Sequence, residues 1–266
     1  MTEAAEEQEA LHRLRNTFAD LDPLFRRISS PYGLKPAPSG AFAEEDRVSH
    51  PFRVSHAAAT ALMSATDHLQ AFQLLTNGCS NCSATTMNFL RTAHWSLLRA
   101  ALENASRAIW ILGPDDSSER VARALRVQAD NVKNSDLASQ KLPSGPLKPR
   151  AARLDRVEEI GNQAGLSKKQ VTEKIFYLDV VRYAWEFVGA DPDRGELFWR
   201  ACSGSAHGDF WTVVSLQERE TLDSADGVAT MQLTASIPVV AGVTAEVAAV
   251  LHTAFDLFDR RNQVIQ

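Results

Sequence analysis

Apolar residues recur at every third or fourth position through Leu11, Leu14, Phe18, Leu21, Phe25 and Ile28, which lays one stripe along a helix. Pro23, directly after Asp22, predicts a kink in it. The same spacing returns at Ala58, Leu62, Ala65, Leu69 and Phe72, a helix with Ser55 as its cap and Asn77-Gly78 as its stop. A third helix is expected from just after Cys82, through Met87, Leu90, His94, Leu97, Ala101, Ala105, Ala108 and Leu112, to Gly113-Pro114. Its alanines permit close approach of a neighbour. Asp115 or Asp116 caps a fourth, with Val121, Leu125, Gln128 and Val132 facing inward, which fades before Pro143-Ser144-Gly145-Pro146.

Beyond that break, Leu154, Val157 and Ile160 mark a short helix. Ser167 and Gln170 have capping-box spacing for another helix running through Val171, Ile175, Leu178 and Trp185. Asp191-Pro192 restarts the chain into a stretch from Trp199 to Trp211. The period then changes: Val213-Val214-Ser215-Leu216 and Met231-Gln232-Leu233-Thr234 flank a turn-rich segment containing Asp226-Gly227, the pattern of a β-hairpin within residues 212–236. A last helix carries Val243, Val247, Val250, Ala254 and Leu257 and ends at Arg260-Arg261. Residues 29–53 hold Pro31, Pro36, Pro38 and Pro51 with Gly33 and Gly40, and read as a long loop without regular structure. The expected fold is all-α, an antiparallel helical bundle formed by one domain over residues 1–266, with a small β-hairpin before the C-terminal helix.

Composition adds limits. A chain of 266 residues with 44% hydrophobic content can bury a sizeable core. Its net charge of −5 gives no global attraction to nucleic acid or anionic membrane, so RNA contact requires a local basic patch. Four glutamates within Met1 to Glu9 argue against a secretory signal, and no stretch approaches 18 uninterrupted apolar residues. Three cysteines, Cys79, Cys82 and Cys202, do not make a disulfide framework. The expectation is a soluble cytoplasmic protein without a membrane partner.

The richest chemistry lies in Leu197-Phe198-Trp199-Arg200-Ala201-Cys202-Ser203-Gly204-Ser205-Ala206-His207-Gly208-Asp209-Phe210-Trp211. Arg200 and His207 are seven residues apart, almost two helical turns, so a continuous helix places both on one face. This spacing resembles the arginine–histidine signature of the HEPN superfamily, compact helical bundles that often act as metal-independent ribonucleases. The resemblance implies that Arg200 holds a phosphate while His207 moves a proton. It extends to Arg99 and Glu103, four apart on a long helix, followed by a late helix with the serine-x-x-x-histidine spacing of Ser203 and His207. Small residues on both helices predict that they pack together, and the resemblance further implies a homodimer, for which Phe198, Trp199, Phe210 and Trp211 supply aromatic surface.

Arg99, Glu103 and Arg107 form an expected ion-paired ridge, partly buried among Ala100, Ala101 and Ala105. In the plainer alternative, Arg200 pairs with a buried carboxylate such as Glu103, and His207 serves only as a helix end. Asp115-Asp116-Ser117-Ser118-Glu119 has the acidic pattern of a magnesium–diphosphate site, but a helix-capping role fits its position after Gly113-Pro114 better. Cys79 and Cys82 have ligand spacing without a second pair to complete zinc's four ligands. His68, His94 and His252 read as histidines satisfied within packing. Lys141, Lys148, Arg150, Arg153, Arg156, Lys168, Lys169 and Lys174 make the one locally basic region. No metal or cofactor is expected. RNA is the expected partner under the first reading, with a non-catalytic interaction protein and a diphosphate enzyme as the competing classes.

Overall fold

The computed structural model describes residues 3–77, 87–145 and 148–263. The order is α1 (Glu3–Ser29), α2 (Ala41–Val48), α3 (Val54–Asn77), α4 (Ala93–Leu112), α5 (Ser117–Ser139), α6 (Arg150–Gln163), α7 (Lys168–Thr172), α8 (Tyr177–Phe187), α9 (Pro192–His207), α10 (Phe210–Leu216), β1 (Gln217–Ala225), β2 (Val228–Ala235) and α11 (Ile237–Asn262). Among the described residues the chain is all-α apart from one antiparallel two-stranded sheet.

α4 is the central element. It packs against α3 on one side, α11 on another, and α8 and α9 on a third. Its buried positions Leu98, Ala101, Leu102, Ala105, Ala108, Ile109 and Leu112 face more than one neighbour, and the alanines keep those neighbours close. The expected packing of the helix carrying Arg99–Arg107 against the one carrying Trp199–His207 is therefore present. α1 buries its stripe of Leu14, Phe18, Leu21 and Phe25 mainly against α11. Two glycines permit close approach around α9. A Cβ on Gly195 would lie 2.7 Å from the Trp185 ring of α8, and one on Gly204 would lie 2.6 Å from the Thr212 methyl of α10.

Several expectations need correction. Residues 29–53 are not wholly irregular, since α2 occupies Ala41–Val48. Its two central carboxylates are buried: Glu45 receives Arg120 of α5, while Asp46 accepts both the backbone N–H and the hydroxyl of Ser55. Ser55 thus sits inside the first turn of α3, and Asp46 does the capping from another element. α1 continues through Pro23. α4 starts only at Ala93, after a non-helical stretch from Met87 in which Leu90 donates its N–H to the His94 ring. Cys79 and Cys82 lie outside the described residues. The Ser167–Gln170 capping box is present, but the helix it opens lasts five residues and the chain restarts at Tyr177. Asp116 caps α5, accepting from the Ser118 N–H.

The hairpin begins at Gln217 rather than 212, because residues 210–216 are helical. Asp226 (φ 54°) and Gly227 (φ 76°) both adopt the left-handed conformation of a type I′ turn, which suits the twist of two paired strands. A register shift between Thr221 and Asp223 interrupts the ladder. Nearly every hairpin residue is exposed. α11 is long and apolar enough by length and composition to cross a membrane, with mean hydropathy 1.6, and half of that window is buried within the bundle. Its buried positions from Val240 to Phe258 pack on α1 and α4.

Candidate functional site at the junction of α4 and α9

α9 starts where Asp191 caps it, accepting from the Asp193 N–H, with Pro192 in the first turn where its missing N–H costs nothing. It ends at His207, because Gly208 (φ 76°) turns the chain left-handed and its N–H closes on Ser205 and Gly204 carbonyls. His207 is therefore the last residue of the helix and projects at its open end, exposed.

The nearest cation to His207 comes from α4. Arg99 Nη1 lies 3.2 Å from His207 Nε2. A guanidinium carries donors only, so in this arrangement the imidazole nitrogen accepts and the ring proton sits on Nδ1. Arg99 is itself held: its Nε donates to Glu103 Oε1 at 2.9 Å, and its guanidinium lies 5.5 Å from the Trp199 ring centroid. Trp199 Nε1 donates to the same Glu103 oxygen at 2.8 Å. Glu103 thus fixes one residue from each helix, and Arg99 is pre-oriented with part of its fork still facing His207. The arginine and glutamate side chains keep 28% and 17% of their exposure, so solvent and a ligand can reach them.

Arg200 and His207 share α9, as the spacing predicts, but the Arg200 guanidinium turns back to Glu196, with Nε donating at 2.7 Å. It is more than half exposed, and its pull keeps the Glu196 carboxyl below its usual range, with Arg182 adding to the effect. Two helical turns separate Arg200 from His207 by roughly 10 Å along the axis. Ser203 is half-buried one turn before His207, and its hydroxyl has no hydrogen-bond partner among the described residues. The alternative pairing of Arg200 with Glu103 does not occur, since Glu103 is taken by Arg99 and Trp199. The three-membered ridge is also only partly formed: Arg107 bonds the Tyr177 hydroxyl of α8 rather than Glu103, and stacks its guanidinium 5.1 Å from that ring centroid.

Trp199 and Tyr177 are the positioning residues that periodicity alone overlooks. A usable signal exists in principle, because a half-buried tryptophan or tyrosine must find a partner for its polar tip. Cys202, between Trp199 and His207, is fully buried, and burial pushes its thiol up to about 12, so it is a neutral packing residue. His94 is also fully buried, held by Leu90 and packed edge-on to Phe72, and burial lowers its pKa.

The remaining candidates have structural partners. Asp116 caps α5, Asp115 meets Arg261, and Glu119 pairs with Arg123 and Arg126. Among the described residues, no group of three or more His, Cys, Asp or Glu side chains is arranged to hold a metal ion. Within the basic region, Arg156 pairs with Glu159 and Lys168 with Glu158, while Arg153 donates to the Ser135 hydroxyl. No protein-family model, curated protein or solved structure matches the chain.

Proposed function

We propose that the protein is a HEPN-like helical bundle directed at RNA phosphodiesters, with the junction of α4 and α9 as its site and metal-free cleavage as its chemistry. The observation that carries this reading is the Arg99–His207 contact, a permanently charged fork and an exposed imidazole 3.2 Å apart on two different helices. In the reaction the phosphate enters between them. Arg99 meets its non-bridging oxygens with two parallel donors, while His207 accepts the proton of the attacking 2′-hydroxyl; as the 2′-O–P bond forms the P–O5′ bond breaks, and the 5′-oxygen leaves as a hydroxyl after taking a proton from solvent. Glu103 and Trp199 keep Arg99 aimed as negative charge grows. Phe210, three residues beyond His207 and 78% exposed, and Trp211 present rings on which bases stack.

The test is a cleavage assay on single-stranded and structured RNAs with EDTA present. His207→Ala is expected to lose activity by about 10²–10⁴-fold, the usual contribution of a positioned proton carrier, with its fold intact. Arg99→Lys is expected to lose a large part as well, since the planar fork is gone. A parent protein inert on every RNA tried, with neither variant altering RNA affinity, sinks the proposal.

A second reading, a non-catalytic interaction protein, is favoured by one observation: Phe210 and Trp211 both stand exposed just beyond the C-terminal end of α9. Under either reading we propose a homodimer through this aromatic surface, which sedimentation at micromolar concentration tests; a monomer there rejects it.

A further inference from the structure

A second cavity lies away from His207, between the start of α3 and the middle of α4 and α5. Its volume is about 260 Å³, and Arg53, His56, Arg107, Gln128 and Asn131 are among the residues that line it. Phe52, Ala57, Ala61, Ala124 and Val127 complete an apolar wall. No carboxylate lines it. Among the described residues Arg53 and Arg107 have no acidic partner, whereas most arginines of α5, α8 and α9 do. Arg107 is nevertheless not loose: the Tyr177 hydroxyl takes one of its Nη2 donors and the ring underlies its guanidinium, which leaves the other donors of the fork oriented and unused. An arginine held in place by a neutral phenol is oriented without a counter-charge beside it.

We propose that this cavity binds a small phosphomonoester. Arg53 and Arg107 take the phosphate, the amides of Gln128 and Asn131 meet hydroxyl or ring-edge groups, and the apolar wall covers the body of the molecule. Size supports this class, because the cavity is below the roughly 300–1,000 Å³ of drug-sized ligand sites. A polynucleotide is disfavoured by the adjoining groove. There Arg47 is neutralised by Glu44 and Asp46 forms part of the wall, which leaves Lys35 as the one further lysine or arginine without an acidic partner among the described residues, too little positive charge for a phosphate-backbone track. The proposal stands independently of the RNA site, since it uses none of Arg99, Glu103, Trp199, Arg200 or His207.

Calorimetric titration of the full chain with adenosine 5′-monophosphate, inorganic phosphate and adenosine tests it. The monophosphate is expected to bind saturably, inorganic phosphate to compete with it, and adenosine alone to bind far more weakly. Arg53→Gln and Arg107→Gln are each expected to weaken the monophosphate by about tenfold or more, the scale of one charge-assisted bond pair. Arg53 is exposed, so its variant keeps the fold even where Arg107→Gln does not. Absence of saturable binding by the monophosphate or phosphate, or binding that neither substitution weakens, overturns the proposal. So does a single-stranded RNA that displaces the monophosphate and is itself weakened by both substitutions, which makes the cavity part of an RNA groove.

Discussion

Two arginine–carboxylate pairs hold this bundle together at different places, and they have opposite surroundings. Arg120 of α5 and Glu45 of α2 are sealed in, with side chains 4% and 2% exposed. Arg120 spends its other donors on the Pro114 and Asp115 carbonyls, while Glu45 Oε2 is left without a partner. Arg99 of α4 and Glu103 are open enough to meet solvent, and the donor left over points at an imidazole. Burial turns the first pair into a bolt between two segments 75 residues apart. The second keeps a charge oriented and accessible, which is what a binding site requires. Even within the bolt, burial is the larger influence on Glu45, holding its carboxyl above the usual range although Arg120 pulls it down.

The contrast breaks most visibly at Arg120. Arg120→Ala leaves a buried carboxylate facing nothing and frees two carbonyls, and the expected loss is about 3–5 kcal/mol in denaturant unfolding. The same truncation at Arg99 is expected to cost no more than about 1 kcal/mol, as for an exposed pair. Equal losses would remove the distinction.

A smaller effect sharpens the second region. The folded state keeps the Cys202 thiol protonated up to about 12, above its ordinary 9.0, so between those values the folded chain binds more protons than the unfolded one. Stability is then fully present below pH 9 and falls as pH rises, by about 1 kcal/mol over the first unit or so above it. Unfolding measured between pH 8 and pH 10 should show this slope in the parent and a flatter one in Cys202→Ala. Smallest of all is the effect of His207→Ala on stability, expected within about 0.5 kcal/mol because the residue is exposed at a helix end. A large destabilisation there would make His207 a structural cap.

How much of this was legible in the chain depended on whether the cause was local. The stripes of α1, α3, α5 and α11 follow the helical period, and Asp116, Ser167 and Asp226-Gly227 act through neighbours one to three residues away, so pattern alone locates them. α2 was hidden because prolines flank its eight residues and its stability comes from Arg120 and Ser55, which no local window contains. The single helix expected from Ser167 to Trp185 stops at Thr172, where Glu173 leaves the helical conformation (φ −55°, ψ 140°), and restarts at Tyr177 after a mostly exposed stretch, which no local pattern marks. At the site, Arg99, Glu103 and His207 stood out by residue type. Their pairing across 108 residues, and the diversion of Arg200 to Glu196, are outcomes of how α4 and α9 cross.

The seam between the first and last helices bears on the birth of the molecule. Arg27 of α1 reaches Asp259 of α11 across 232 residues, and Asn262 of α11 meets the backbone of Lys35 and Ala37. A ribosome adding about 5–20 residues per second needs roughly 10–50 s to deliver the second side of that seam. Throughout that interval the stripe of Leu14, Phe18, Leu21 and Phe25 has α3 as its principal neighbour in place of α11. Until the final helix is made, the apolar ridge of α1 therefore lacks its main cover.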